Sequence, residues 1–190
     1  WIQSYLKDKK LSISPSASVL VAEYLGENLS KVSNELDKLA INLAPGTEVN
    51  EKHIQEQIGI SKEYNVFELQ KALGAKNVVK SNRIINYFIS NPKKNPLVVV
   101  VGTLFTFFSK VYLTHFLKNS SEKEMMEKLG VRHAFFLKDY KLAARNYPYQ
   151  QSQDVISILK EYDLKSKGVD RVNATEGDLM KEMVFKILHA

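Results

Sequence analysis

Apolar residues recur at three- and four-residue steps over most of the chain, the spacing that places them on one face of a helix. The clearest stretch is 29–43, where Leu29, Val32, Leu36, Leu39 and Leu43 fall on one stripe. Similar stripes run through Val66, Phe67, Leu69 and Leu73, through Val78, Ile84, Ile85, Phe88 and Ile89, and through Val155, Ile158, Leu159 and Tyr162.

Local start and stop signals divide these stripes into elements. Ser14-Pro15 predicts a helix start, Ser as N-cap and Pro at the first helical position, with Gly26 as the left-handed stop. Ala44-Pro45-Gly46 breaks the second helix. Asn50 caps a short helix to about residue 58, with Ile54 and Ile58 inward and Gly59 as its stop. Asn65 opens the next helix and Gly74 ends it. Helix 77–90 leads to a turn at 91–96, and Pro96 opens a long apolar helix to about residue 117. Helix 122–129 stops at Gly130, helix 135–146 at Pro148, and helix 151–165 runs into a basic connection at 165–173. Thr175 and Asp178 form a capping box for a last helix to about residue 188. The four valines 98–101 have strand-like composition, but they sit inside the pattern that Pro96 opens. No sustained two-residue alternation stands between turn signals, so the predicted fold class is all-α. A small bundle is followed by a larger one, and the boundary falls within 59–65.

Composition changes this picture in three places. With 44% hydrophobic and 25% charged residues in a 190-residue chain, a buried core is expected. The absence of cysteine excludes disulfides, thiolate metal sites and cysteine nucleophiles, and suits a cytoplasmic protein. The charge of +6 is uneven. Residues 1–64 hold 7 Lys and 9 acidic residues, a net −2, whereas 65–190 carry +8. The basic surplus points to an anionic partner for the second part, or to solvated helix faces. The chain opens on Trp1 inside an apolar pattern, which reads as a fragment, and residues 1–10 have no signal-peptide core. The apolar run 97–108 is short of a membrane span and reads as a core helix.

Candidate chemistry is sparse. None of the eight glycines lies in a phosphate-binding loop pattern. His53, His115, His133 and His189 are far apart, and His115 reads as a core or boundary histidine rather than a metal ligand. No catalytic, metal or cofactor site is predicted. Phe105, Phe107, Phe108, Tyr112 and Phe116 on one helix, and Phe135 and Phe136 on another, are at core spacing. Tyr147 and Tyr149, which flank Pro148 near Arg145, are better candidates for base stacking or a partner contact.

Three stretches carry a family resemblance. Gly26-Glu27-Asn28-Leu29 through Glu35-Leu36-Asp37-Lys38-Leu39-Ala40 resembles the G-x-[DN]-L-x-x-[IV]-x-x-E-[LI]-x-K-L segment of the lid domain in δ subunits of the bacterial DNA polymerase III clamp loader. Asn65-Val66-Phe67-Glu68-Leu69-Gln70-Lys71-Ala72-Leu73 is similar to the start of that family's collar domain. Leu159-Lys160-Glu161-Tyr162-Asp163-Leu164-Lys165-Ser166-Lys167-Gly168 resembles its segment before the final helix. The three occur in the family's order and bracket residues 26–168.

The resemblance implies that residues 1–62 are the C-terminal part of an AAA+-like lid domain and 63–190 a helical collar. It implies an assembly role in the pentameric complex that loads the sliding clamp onto primed DNA, with no catalysis by this chain. The implied partners are the ATPase subunits and δ′ through the collar, and primed DNA through the assembled complex. The sliding clamp would be met only through an N-terminal domain that these residues lack, and no membrane is involved. For DNA contact the candidates are Lys165, Lys167 and Arg171, then Lys93 and Lys94, with Tyr147 and Tyr149 as stacking groups. The alternatives are a sister clamp-loader subunit, an unrelated helical nucleic-acid-binding or adaptor domain, and a helical enzyme.

Overall fold

The computed structural model of the chain describes residues 1–25, 28–58, 64–131, 134–170 and 173–190. Gly26, Gly59, His133 and Arg171 lie outside the described residues, as does most of the expected boundary segment. Among the described residues the fold is all-α, with strand confined to two segments of two residues each. The chain divides into two compact units, Trp1–Asn65 and Val66–Ala190.

The first unit contains α1 (Ile2–Asp8), β1 (Ser12–Ile13), α2 (Pro15–Leu25), α3 (Leu29–Asn42), β2 (Glu48–Val49) and α4 (Glu51–Gln57). Its helix starts follow from local chemistry. Ser14 Oγ accepts from the Ala17 amide at 3.2 Å and Asn28 Oδ1 from the Lys31 amide at 3.1 Å. Asn50 and His53 form a reciprocal capping box. The core joins Leu6, Val21, Val32, Leu36, Leu39, Val49 and Ile54.

Two details depart from the sequence expectation. Leu29 is exposed, because the first residue of α3 precedes the turn that packs inward. The parallel pair β1–β2, with Ile13 opposite Val49, is too short to show a two-residue period. It exists because Ile13 and Val49 both enter the core while Ser12 and Glu48 face solvent. Across the helices, Tyr5 Oη donates to Asp37 Oδ1 at 3.0 Å and Lys9 Nζ lies 3.1 Å from the same oxygen, tying α1 to α3. Glu35 and Lys38, part of the first resembling stretch, pair at 2.7 Å on the outer face of α3.

The second unit contains α5 (Val66–Gly74), α6 (Val78–Ser90), α7 (Leu97–Thr114), α8 (Glu122–Leu129), a 3-10 turn (Ala134–Phe136), α9 (Leu137–Asn146), α10 (Tyr149–Ser166) and α11 (Glu176–Leu188). The apolar helix α7 is its centre, packed against α5, α8, α9, α10 and α11. At 18 residues, α7 is long and apolar enough to cross a membrane by length and composition, more than the run 97–108 suggested. One of its faces, including Val100, Leu104, Phe107, Phe108 and Val111, is nevertheless buried in the unit.

Helix α5 ends at Gly74, as the sequence suggests, but the glycine is not the left-handed residue of the stop. Lys76 takes the left-handed conformation (φ 50°), and its amide and that of Asn77 bond back to Leu73 and Ala72. Gly74 is still helical and serves contact instead. A Cβ there would lie 3.1 Å from Ala143 Cβ and 3.2 Å from Phe107 Cζ, so glycine lets α5 lie directly on α9 and α7. Val78, expected on an apolar face, is exposed at the first turn of α6.

Candidate functional site

Of the basic residues singled out in the sequence, Lys165 and Lys167 are not free loop charges. Helix α10 continues to Ser166, so both sit at its C-terminal end. Lys165 Nζ donates to Glu161 Oε1 at 2.6 Å and lies 4.8 Å above the Tyr162 ring, while Lys167 pairs with Asp163 Oδ2 at 2.6 Å. Glu161 also accepts from Lys186 of α11 at 3.2 Å, and these two lysines hold its carboxyl below the usual range. Burial pushes the Tyr162 hydroxyl up to about 12. The four-residue spacing of Glu161–Lys165 and Asp163–Lys167 was visible in the sequence and is that of helical ion pairs. Lys93 and Lys94, by contrast, stand exposed in the turn between α6 and α7 and have no carboxylate partner among the described residues. Arg171 lies outside the described residues.

The two tyrosines separate sharply. Tyr147 has 0% exposure, so it has no ring face to offer a base. Its ring meets Phe108 edge-on at 5.2 Å and its hydroxyl donates to the Leu73 carbonyl at 3.0 Å. Burial raises its pKa far above that of an ordinary tyrosine. The Tyr-Pro-Tyr sequence reads as a loop, but Tyr147 ends α9 inside the core and only Tyr149, past Pro148, emerges.

Tyr149 is 43% exposed and belongs to an aromatic cluster. Its ring lies 5.1 Å from Tyr112 and 5.7 Å from Phe116, and the Tyr112 and Tyr149 hydroxyls share a 2.8 Å hydrogen bond that raises the Tyr149 pKa. Phe116, expected in the core, is 63% exposed. It lies just beyond the end of α7, where Leu117 turns inward in its place. His115 is a boundary histidine, as expected. Its Nε2–H donates to the Tyr147 carbonyl at 3.0 Å, and the Ser152 hydroxyl lies 3.2 Å away.

These rings border an open cleft of about 820 Å³ within the second unit. Met125 of α8, Ala144 of α9 and Pro148 form its apolar part. Lys118, Lys141 and Arg145 bring positive charge to its walls. Lys141 is paired with Glu122 at 3.0 Å, whereas Lys118 and Arg145 have no carboxylate partner among the described residues. No group of three potential metal ligands occurs among the described residues. The cleft therefore offers apolar contact and cationic recognition.

No protein-family model and no curated protein matches the sequence. A solved structure does: the DNA clamp loader delta protein of Bacillus subtilis, at 18% identity and a TM-score of 0.68, over 100% of this chain. The chain spans 55% of the length of that protein. At this identity the likeness is one of fold, and it extends through both units.

Proposed function

We propose that this chain is the lid and collar part of a clamp-loader δ subunit, and that it holds δ in the pentameric complex that loads the sliding clamp onto primed DNA. The observation that carries the reading is the likeness of fold along the whole chain to a clamp loader delta protein. The order of the three resembling sequence stretches supports it independently.

In this reading Trp1–Asn65 corresponds to the later part of the lid, and Val66–Ala190 to the collar. The collar meets the ATPase subunits and δ′, primed DNA is met in the assembled complex, and the protein works in the cytoplasm. Gripping and opening the clamp is assigned to residues outside these 190, and no catalytic step falls to this chain. An interface in such a ring needs apolar surface edged by polar groups. The outer face of α7, with Val98, Val99 and Phe105 exposed, supplies surface of that kind.

The test is to mix the chain with purified δ′ and ATPase subunits from the same source and run size-exclusion chromatography with light scattering. Co-elution at a defined stoichiometry is the expected result. Failure to associate, with partners that assemble around an intact δ subunit, overturns the reading and brings forward an unrelated helical nucleic-acid-binding module. That alternative predicts tight, salt-sensitive DNA binding by the chain alone.

A further inference from the structure

We propose that the cleft bordered by Phe116, Tyr149 and Arg145 is a docking site for a short acidic peptide carrying an apolar anchor side chain. The inference goes beyond the clamp-loader reading and does not depend on it, because it rests on the chemistry of the second unit alone.

The interior of the cleft is apolar and adaptable. Met125 is a flexible thioether that moulds to side chains of different shape, and Ala144 and Pro148 leave room beside it. Phe116 keeps most of its ring in water, an unfavourable position for so large an apolar group unless something covers it. At about 820 Å³ the space is larger than one side chain and lies in the range of ligand sites.

The charge decides the occupant's sign. Among the described residues Lys118 and Arg145 lack carboxylate partners and no acidic residue lines the cleft, while Lys141 is paired with Glu122. A peptide with several carboxylates places an anion against each cation while its apolar residue enters beside Met125.

A nucleobase fits less well, although exposed aromatics beside cations are also what single-stranded nucleic acid uses. The edge of a base carries donors and acceptors that lose water when buried and need replacements. The neutral polar groups here are already engaged inside the protein, and the remaining Lys118 and Arg145 donors suit carboxylates. His115 Nε2–H serves the Tyr147 carbonyl, Thr114 Oγ1 donates to the Lys110 carbonyl, and the Tyr149 hydroxyl is bonded to Tyr112 and Gln153. The exposed rings also pack against each other edge-on, Phe116 on both Tyr112 and Tyr149. An apolar side chain makes no polar demand on such a site.

The experiment uses the full chain and a fluorescein-labelled peptide of four aspartates followed by leucine and phenylalanine, read by fluorescence anisotropy. Saturable binding is expected. Phe116→Ala and Arg145→Glu should each weaken it by about tenfold or more, the scale of an anchor residue in an interface. Replacing the aspartates by asparagine, or the last two residues by alanine, should do the same. Glu122→Gln releases Lys141 and should tighten binding, a gain that a damaged fold would not produce. The proposal is overturned if the peptide does not saturate. It is also overturned if the Phe116 and Arg145 variants bind as well as the parent chain, or if oligothymidylate displaces the peptide at comparable concentration.

Discussion

Tyr147 and Glu68 show how single residues hold the second unit together by different means. The Tyr147 ring fills the space between α5, α7 and the end of α9, with its hydroxyl on the Leu73 carbonyl. Tyr147→Phe keeps the ring and removes that bond, so a loss of about 1 kcal/mol is expected in urea unfolding. No change in the urea midpoint would mean that the bond contributes nothing beyond its exchange with water. Glu68 of α5 sits between Lys71, 3.1 Å away, and Lys80 of α6. Burial opposes its charge, but the two lysines prevail and hold its pKa below the ordinary value. A depressed carboxyl stabilises the fold at pH above its unfolded pKa, near 4.3 for Glu, and that stability is lost as pH falls through the lower folded value. Glu68→Gln should therefore cost about 0.5–1 kcal/mol near neutral pH. The gap between variant and parent should close as the pH drops below about 4. A gap that persists in acid would point to packing rather than charge.

At the scale of elements, two glycines predict opposite outcomes for the same substitution. Gly74→Ala pushes a methyl group against Ala143 and Phe107, and it should destabilise the unit by about 1–2 kcal/mol despite the better helix propensity. Gly102, within the exposed side of α7, has nothing within 4 Å of an added Cβ. Gly102→Ala should stabilise by up to about 1 kcal/mol. Thermal unfolding of both variants checks the pair: a stabilising Gly74→Ala would refute the account of Gly74, and a destabilising Gly102→Ala that of Gly102. The contrast also marks what the sequence could disclose. Helix ends were legible where the cause is local and the cap stands out in sequence: Ser14, Asn50 and Thr175 as caps, and Gly130 as a stop. Gly74 was legible as the end of α5 but not as a packing contact, because that role depends on a helix about seventy positions away. Tyr147 was misread for the same reason, since its environment is tertiary. The two-residue pair β1–β2 carries no period to detect. Of the cleft, the sequence disclosed Tyr149 and Arg145 through their closeness to Pro148. It did not disclose Phe116, Lys118 and Lys141, which come together only when α7 and α9 pack.

For the whole molecule the question is where an anionic partner would be met, and formal charge alone misleads. The second unit carries +8 against −2 in the first, yet its lysines are not equivalent. Lys165 and Lys167 are committed to Glu161 and Asp163, whereas Lys93 and Lys94 are solvated and unpaired among the described residues. Binding to phosphate gains by releasing counterions, and a lysine already neutralised by a neighbouring carboxylate has little to release. If the chain works in a clamp loader, DNA contact should therefore rest on Lys93 and Lys94 rather than on the end of α10. The measurement is the slope of log affinity against log salt for primed DNA bound by the assembled complex. Each phosphate contact contributes about 0.9 to that slope, so Lys93→Gln with Lys94→Gln should reduce it by about 2. Lys165→Gln with Lys167→Gln should leave it nearly unchanged. The reverse result would show that the ion pairs of α10 open to receive phosphate. No effect from either pair would place the DNA on another surface of the complex.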